Sequence, residues 1–318
     1  MNLLLAAMLA PVLFAAIAAL LPSYFLRTLM LPAGALVHLA FCIALFIRPL
    51  SPDAGAHFGL DALALLVLLI SSVLFLCVSI YAAGYLGERI ADGNRMFVVC
   101  SLLFLSSVTT AVAARHLGIL WFAVEATTLV SAPLINYRGD RLSIEAAWKY
   151  LIICSVSIAF AMLGILFIAY AELVSGGQVS LDLQQLLAPD VHLDQSWLRA
   201  GFVFFTVGMA TKMGLAPLHT WKPDAYGEAP GAVGALLAGS LTSVAFLAVM
   251  RGQQIMNAAG DGQTGRHTLL VFGVISLAMA AISIVRQPDF KRTLAYSSVE
   301  HMGILAIGVG VGGLALFG

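Results

Sequence analysis

Three ionisable side chains lie inside otherwise apolar stretches of the sequence: Glu125, Lys149 and Lys212. A low dielectric disfavours the charged form of a carboxylate and of an amine, so buried groups of both kinds can exchange protons near neutral pH. A glutamate and a lysine that approach and separate change each other's proton affinity. The pattern therefore predicts a proton relay made of Glu125 and Lys212, with Lys149 as a further member.

Each of these residues also has a structural interpretation. Glu125 and Lys212 could form a static ion pair that fixes helix packing, although desolvation makes buried pairs poor stabilisers. Lys149 follows Glu145 by four residues, a spacing that allows a surface pair on one helix face. Movement of charge explains Glu125 and Lys212 at membrane depth better than packing does, because each charge costs about 2.5–3.5 kcal/mol there.

The composition places the chain in a membrane. Of its 318 residues, 61% are hydrophobic and 10% are charged, whereas a soluble domain has about 25% charged residues. So few charges cannot cover a soluble fold of this length, which excludes a cytosolic enzyme and a secreted protein. The net charge of zero gives no basic surface for nucleic acid.

Apolar segments long enough to cross about 30 Å of hydrocarbon recur along the whole chain. Irregular backbone cannot face lipid, so the predicted fold is all-α, a polytopic membrane protein of about ten transmembrane helices. The first segment lacks the basic leader of a signal peptide and is predicted to be a retained helix. The predicted spans are Leu3–Leu21, Phe25–Ile47, Phe58–Tyr81, Met96–Ala114, Gly118–Ile135, Ile144–Tyr170, Leu198–Pro217, Gly231–Met250, Thr268–Ile284 and Thr293–Leu316.

The basic residues predict how the spans are oriented. The connections, numbered by the span that they follow, hold nine Lys or Arg residues when odd and five when even. This bias predicts odd connections in the cytoplasm and the N-terminus outside a bacterial inner (plasma) membrane. The odd set is Arg27, Arg89, Arg95, Arg138, Arg141, Lys222, Arg286, Lys291 and Arg292, and the even set is Arg48, Arg115, Arg199, Arg251 and Arg266.

The seventh span contains a predicted helix break directly after Lys212. Pro217 lacks an N–H and clashes with the carbonyl of Met213, and Gly214 loosens the same turn. Broken helices at mid-membrane expose helix ends, which line polar cavities in transporters. His219 follows the break, and its imidazole suits proton transfer. A relay role and a structural role for His219 are equally open.

Further polar side chains are candidates for the relay or for lining its cavity. Thr242 and Ser243 in the eighth span offer hydroxyls that could hold water or bond back to their own helix. Glu300 and His301 are adjacent in the tenth span, so only one of them is expected to face a given cavity. The glycine-rich run 308–313 fits helix packing better than dinucleotide binding. No metal or haem motif occurs, and we predict no cofactor.

Several motifs together resemble the antiporter-like subunits of respiratory complex I, membrane-bound hydrogenases and multisubunit cation/proton antiporters. The pattern Lys-x-Gly-x-x-Pro-x-His-x-Trp, which begins at Lys212 and leads to Glu-Ala-Pro, is specific to that family. The run Ser-Ser-Val-Glu-His-Met-Gly in the tenth span resembles the hydrogenase-4 F-type component or its formate-hydrogenlyase relatives. The other matching segments are 58–62, 121–128, 145–151, 235–239 and 289–298.

The resemblance implies a proton-translocating subunit that is driven by redox chemistry elsewhere. It implies other membrane subunits as partners, together with a peripheral redox arm of Fe–S and Ni–Fe or flavin subunits. Glu125 and Lys212 match the family's glutamate and lysine, and Lys149 matches a lysine that some members carry. Two alternatives are a component of a multisubunit Na⁺/H⁺ antiporter and an inactive membrane scaffold. Any oxidoreductase activity would belong to the partners.

Two features depart from the family pattern. Ser243 stands where many members carry a lysine, so the path towards the centre of the subunit is expected either to be altered or to use water and His219. The family has about fourteen helices that include two inverted repeats, so a short member or a fragment is expected. The predicted parts are three helices in 1–90, an antiporter-like proton-channel bundle of five helices in 91–251, and the start of a second inverted repeat in 252–318.

Overall fold

The computed structural model describes residues 2–48, 57–87 and 93–312. In those ranges the chain forms helices and short connections, with no β-strand beyond isolated bridges. The predicted all-α fold is therefore confirmed. Arg89 and the end of the tenth predicted span, from residue 313 onwards, lie outside the described residues.

The helices follow the predicted spans closely, with three differences. One short helix lies in the long polar connection, and a second lies in the connection after the seventh span. The eighth predicted span is divided into two helices. A five-residue π-helical stretch, Leu237–Leu241, joins α10 to α11. The helices are α1 (Asn2–Leu20), α2 (Tyr24–Ile47), α3 (Ala62–Gly87), α4 (Arg95–Ala113), α5 (Leu117–Ile135), α6 (Arg141–Val174), α7 (Leu183–Leu186), α8 (Gln195–Met213), α9 (Trp221–Glu228), α10 (Gly231–Leu236), α11 (Thr242–Ala258), α12 (Gly262–Val285) and α13 (Phe290–Gly310).

Eight of the ten predicted spans are helices long and apolar enough to cross a membrane within the described ranges. They are α1 to α6, the unit from α10 to α11, and α12. The seventh and tenth predicted spans also fold as helices, α8 with 19 residues and α13 with 21. Lys212 lies in α8 and Glu300 in α13.

Aspartate side chains mark where several helices begin. Asp140, Asp194 and Asp289 each accept a hydrogen bond from the backbone N–H three residues further on. An N-cap of this kind satisfies one of the free N–H groups of the first turn. These caps fix the starts of α6, α8 and α13, and thereby the register in which α8 carries Lys212.

The even-numbered connections meet at one end of the bundle. The carbonyl of His57 accepts the N–H of Arg115 at 2.8 Å, and the carbonyl of Arg115 accepts the N–H of Leu183 at 2.7 Å. Arg199 pairs with Asp261 at the same end, at 2.5 Å. Connections two, four, six and eight therefore lie side by side, as an alternating path through the bundle requires.

The odd-numbered connections meet at the opposite end. Arg27 donates to the side chain of Asn94 at 2.8 Å, and Tyr137 donates to the carbonyl of Gly93 at 3.0 Å. Arg292 in α13 lies 3.2 Å from Asp224 in α9. The two sets of contacts confirm the alternation of the spans. Which end faces the cytoplasm stays a prediction.

Asp61, just before α3, joins the even end to α11 through a two-pronged pair with the buried Arg251. Burial raises the pKa of Asp61, but the hydrogen bonds and charge of Arg251 outweigh it and lower the pKa below its ordinary value. A carboxyl with a lower pKa in the folded state stabilises the fold above its unfolded pKa, about 3.9, and this stabilisation is lost as pH falls through the folded pKa.

We expect Asp61→Asn to lower the free energy of unfolding of the detergent-solubilised protein at pH 7, because the variant loses the charge that pairs with Arg251. The loss should be about 1–2 kcal/mol, since solvent screens the partly exposed carboxylate. The gap in apparent melting temperature between wild type and variant should narrow as pH falls towards 3. Asp190→Asn, an exposed position in the long polar connection, is the control. If the difference in melting temperature stays constant from pH 7 to pH 3, ionised Asp61 does not stabilise the fold.

Helices α6 and α8 are in backbone contact through glycines. A Cβ added at Gly164 would lie 2.3 Å from the backbone nitrogen of Phe205, and one added at Gly208 would lie 2.5 Å from the carbonyl oxygen of Ser157. Small residues of this kind let two membrane helices approach closely. The contact fixes where α8 presents its last turn relative to α6.

Candidate functional site

Glu125 and Lys212 are in contact, as their placement in the sequence predicts. Glu125 lies in the middle of α5 and Lys212 in the last turn of α8, and Lys212 Nζ lies 3.4 Å from Glu125 Oε2. Ser155 of α6 donates to Glu125 Oε1 at 3.0 Å. The Lys212 side chain is fully buried, while that of Glu125 is 18% exposed. Three helices thus each contribute one polar group to a single buried site.

The predicted break after Lys212 is confirmed, and Gly214 is where α8 ends. Gly214 has a φ of +85°, and its N–H bonds back to the carbonyls of Ala210 and Thr211. A left-handed glycine directly after a helix is a common way to end it. Pro217 lies in the irregular chain that follows, before α9 begins at Trp221. Lys212 therefore sits at a helix end, where carbonyl groups carry partial negative charge.

The chain returns after the break and covers the free carbonyls of α8. Trp221 Nε1 donates to the carbonyl of Thr211 at 2.9 Å, and Lys222 Nζ donates to the carbonyl of Met213 at 3.0 Å. Ser276 of α12 accepts the N–H of Ala216 at 2.8 Å. The last turn of α8 is thus satisfied by side chains inside the protein, which holds Lys212 in place.

The structure corrects the position of Lys222. The sequence places it in a polar connection of the odd set, whereas its side chain is fully buried. It escaped notice because Trp-Lys-Pro-Asp has the composition of a turn. The sequence feature that could have indicated its burial is its position directly after Trp221, which is itself buried in the segment that folds back against α8.

Lys149 forms the surface pair that its spacing from Glu145 allows, and its role in the relay stays a prediction. Its Nζ lies 2.8 Å from Glu145, four residues earlier on α6, and 3.1 Å from Asp224 of α9. The side chain is 47% exposed at the odd end. Asp224 also pairs with Arg292, so Lys149 belongs to a charged cluster at the mouth of the bundle.

His219 is buried in the irregular chain between α8 and α9. Its ring packs edge-on against Tyr296 of α13, with 6.1 Å between the ring centroids. Its backbone carbonyl accepts the N–H of Lys222 at 2.9 Å. The histidine is thus close to the break in sequence and in space, and its role in proton transfer stays a prediction.

The remaining candidates do not contact the Glu125–Lys212 pair. Thr242 and Ser243 donate back to carbonyls four residues earlier, in the π-helical stretch of the eighth span. His301 is exposed, and its Nδ1 lies 2.7 Å from the carbonyl oxygen of Ser297. Glu300 is half-buried beside it. Across the described ranges, no three His, Cys, Asp or Glu side chains are placed to hold a metal ion.

Known membrane proteins resemble this chain in sequence. The family described as "NADH:quinone oxidoreductase/Mrp antiporter, TM" matches residues 114–317. A hydrogenase-4 component F homologue of Methylacidiphilum infernorum is 30% identical over 86% of this chain and 60% of its own length. The NADH-quinone oxidoreductase subunit N of Desulforudis audaxviator is 32% identical over 84% of this chain and 52% of its own length.

The fold also resembles a chain of the membrane-bound sulfane sulfur reductase, an archaeal respiratory membrane complex. The TM-score is 0.86 at 20% identity, covering 98% of this chain and 65% of that one. The chain spans about half to three fifths of the length of the two curated relatives. The resemblance predicted from the motifs is confirmed, and the chain belongs to the NADH:quinone oxidoreductase/Mrp antiporter transmembrane family.

Proposed function

We propose that this chain is a proton-translocating membrane subunit of a redox-driven complex, and that its protons pass through Glu125 and Lys212. The observation that carries the proposal is the contact of these two side chains at the end of a broken helix, inside the bundle. A buried carboxylate and a buried amine, held by separate helices, form the minimum pair that can exchange protons by changing their separation.

The chemistry of the pair follows from charge balance. While Glu125 is ionised and close, it stabilises the ammonium form of Lys212. When the carboxylate moves away, the buried ammonium loses its counterion and gives up a proton. Ser155 offers the carboxylate a second hydrogen-bond partner on α6, so Glu125 need not become unsatisfied when it leaves Lys212.

We assign proton uptake to the odd end of the bundle, which the count of basic residues places in the cytoplasm of a bacterial cell. The charged cluster of Lys149, Glu145, Asp224 and Arg292 lies there, at the side of the break. Lys149 would act in this cluster as an entry group. We propose that five further side chains line the proton path or act as later relay positions. They are His219, Thr242, Ser243, Glu300 and His301.

The names of the two curated relatives support a respiratory or hydrogenase complex as the setting. One is a hydrogenase-4 component and the other a subunit of NADH-quinone oxidoreductase. We infer that this chain works with other membrane subunits and with a peripheral redox arm of Fe–S and Ni–Fe or flavin subunits. In that setting the chain supplies proton movement, and its partners supply electron transfer.

Glu125→Gln tests the proposal. Glutamine keeps the size and the hydrogen bond from Ser155 but cannot bind and release a proton at neutral pH. In inverted membrane vesicles that carry the assembled complex, we expect proton translocation per electron transferred to fall at least about tenfold. Acidification measured by a pH-sensitive dye, with electron transfer followed in parallel, checks this.

Glu172→Gln is the matched control, because Glu172 is also buried but binds the backbone of Ser180 at the even end. It should translocate protons at the wild-type rate. Wild-type translocation by both Glu125→Gln and a Lys212 variant would overturn the proposal and favour an inactive scaffold.

A second candidate follows from the family itself, whose description includes the Mrp antiporter. In that case the same charges would serve Na⁺/H⁺ exchange. Added Na⁺ should then release a pre-formed pH gradient in the vesicles, and the chain with its partner subunits should restore sodium tolerance to an antiporter-deficient strain. Gradients indifferent to Na⁺ would remove this candidate.

A further inference from the structure

Lys222 is a buried amine that the Glu125–Lys212 pair does not use. Its side chain is fully buried in α9, and its Nζ donates to the carbonyl of Met213, the last residue of α8. The amine also lies 5.6 Å from the centroid of the Tyr226 ring. No ion pair joins Lys222 to a carboxylate in the described part of the chain.

These contacts form a site that can hold a proton and release it. A carbonyl at a helix C-terminus and an aromatic face both stabilise a cation. Neither compensates the ammonium as fully as a carboxylate would, and burial disfavours the charged form. The amine of Lys222 can therefore lose its proton. Gly214 makes the contact possible, since a Cβ there would lie 2.8 Å from Lys222 Nζ.

Lys222 and Lys212 meet the same helix end from two directions. Lys212 belongs to the last turn of α8 and points to Glu125, whereas Lys222 reaches the end of that turn from α9. Glu125 is the single carboxylate that the described structure pairs with either amine, and one carboxylate neutralises one ammonium.

We propose that Lys222 is a third proton-binding side chain of this site, which passes its proton to Lys212 from the side of the odd end. This rests on the proposed function of the Glu125–Lys212 pair. In the step, an N–H bond of the Lys222 ammonium breaks and an N–H bond forms on the neutral amine of Lys212, so the number of protons and the total charge are unchanged. Asp224, two residues further along α9, lies in the charged cluster that would supply the next proton.

The alternative is that Lys222 only covers the carbonyls of α8. Arginine distinguishes the two roles, because it can donate to a carbonyl and carry the charge but does not release a proton. In vesicles with the assembled complex, we expect both Lys222→Met and Lys222→Arg to lower proton translocation per electron at least about tenfold. A merely structural lysine would instead give rescue by arginine.

Lys291→Met is the matched control, because Lys291 donates to the carbonyls of Gly227 and Ala229 at the end of α9. It should translocate protons like wild type. Wild-type translocation by Lys222→Arg would overturn the inference, and this variant decides it if Lys222→Met fails to assemble. If Glu125→Gln loses proton translocation and Lys222→Arg does not, the role of Lys222 is wrong and the proposal for Glu125 and Lys212 stands. If Glu125→Gln keeps proton translocation, both are wrong.

Discussion

Replacing Lys212 by methionine should stop proton translocation while the chain still folds and assembles. Methionine has a similar length and no charge, so it fills the same buried space and removes the amine that binds the proton. We expect translocation per electron to fall at least about a hundredfold. The fall should exceed that of Glu125→Gln, because glutamate tunes the lysine and the lysine carries the proton.

The stability of this variant separates a relay from a static ion pair. Removing one partner of a buried pair leaves the other charge uncompensated, at a cost of about 3–5 kcal/mol if it stays charged. Glu125 is 18% exposed and can take up a proton instead. The double variant Glu125→Gln, Lys212→Met leaves no unpaired charge, so it should melt near the wild-type temperature and still fail to translocate protons. Translocation by Lys212→Met at the wild-type rate would contradict the relay.

Gly214→Ala should damage both the fold and the activity. Gly214 has a φ of +85°, a left-handed conformation that costs other residues about 1–2 kcal/mol. Its new Cβ would also lie 2.6 Å from Cδ of Lys222, which would push that side chain off the carbonyl of Met213. We expect a lower apparent melting temperature and proton translocation reduced by several-fold.

Gly139→Ala supplies the matched control for this change. Gly139 also has a positive φ, +68°, but an added Cβ would meet nothing within 4 Å. It should therefore lose the same backbone term in stability and keep its proton translocation. Equal activity in the Gly214 and Gly139 variants would show that the contact with Lys222 contributes nothing.

The parts of the fold that sequence predicts well are those set by local composition. Apolar runs define the spans because hydrocarbon excludes irregular backbone, and the break after Lys212 follows from Gly214 and Pro217 in one turn. The pairing of Glu125 with Lys212 in a proton relay was predicted from the cost of placing either charge at membrane depth, and the relay role stays a prediction. None of these inferences needs the three-dimensional path of the chain.

The features that were missed depend on that path. Lys222 becomes buried because the chain after the break folds back onto α8, and no local pattern encodes that return. Lys149 acquires Asp224 as a partner from a helix 75 residues away. The π-helical stretch at 237–241 differs from an α-helix in which backbone groups are hydrogen-bonded, and an apolar run in the sequence does not indicate that difference. The division at residues 90 and 251 stays a prediction.

The close contact of α6 with α8 bears on how the proton switch operates. Glycines bring the two backbones together, so Ser155 and Lys212 lie on two helices in direct backbone contact. In the proposed relay, Glu125 on α5 would leave the amine of Lys212 and keep the hydroxyl of Ser155. A rotation about the side-chain torsions of Glu125 would be sufficient for that step and would not require a helix to move.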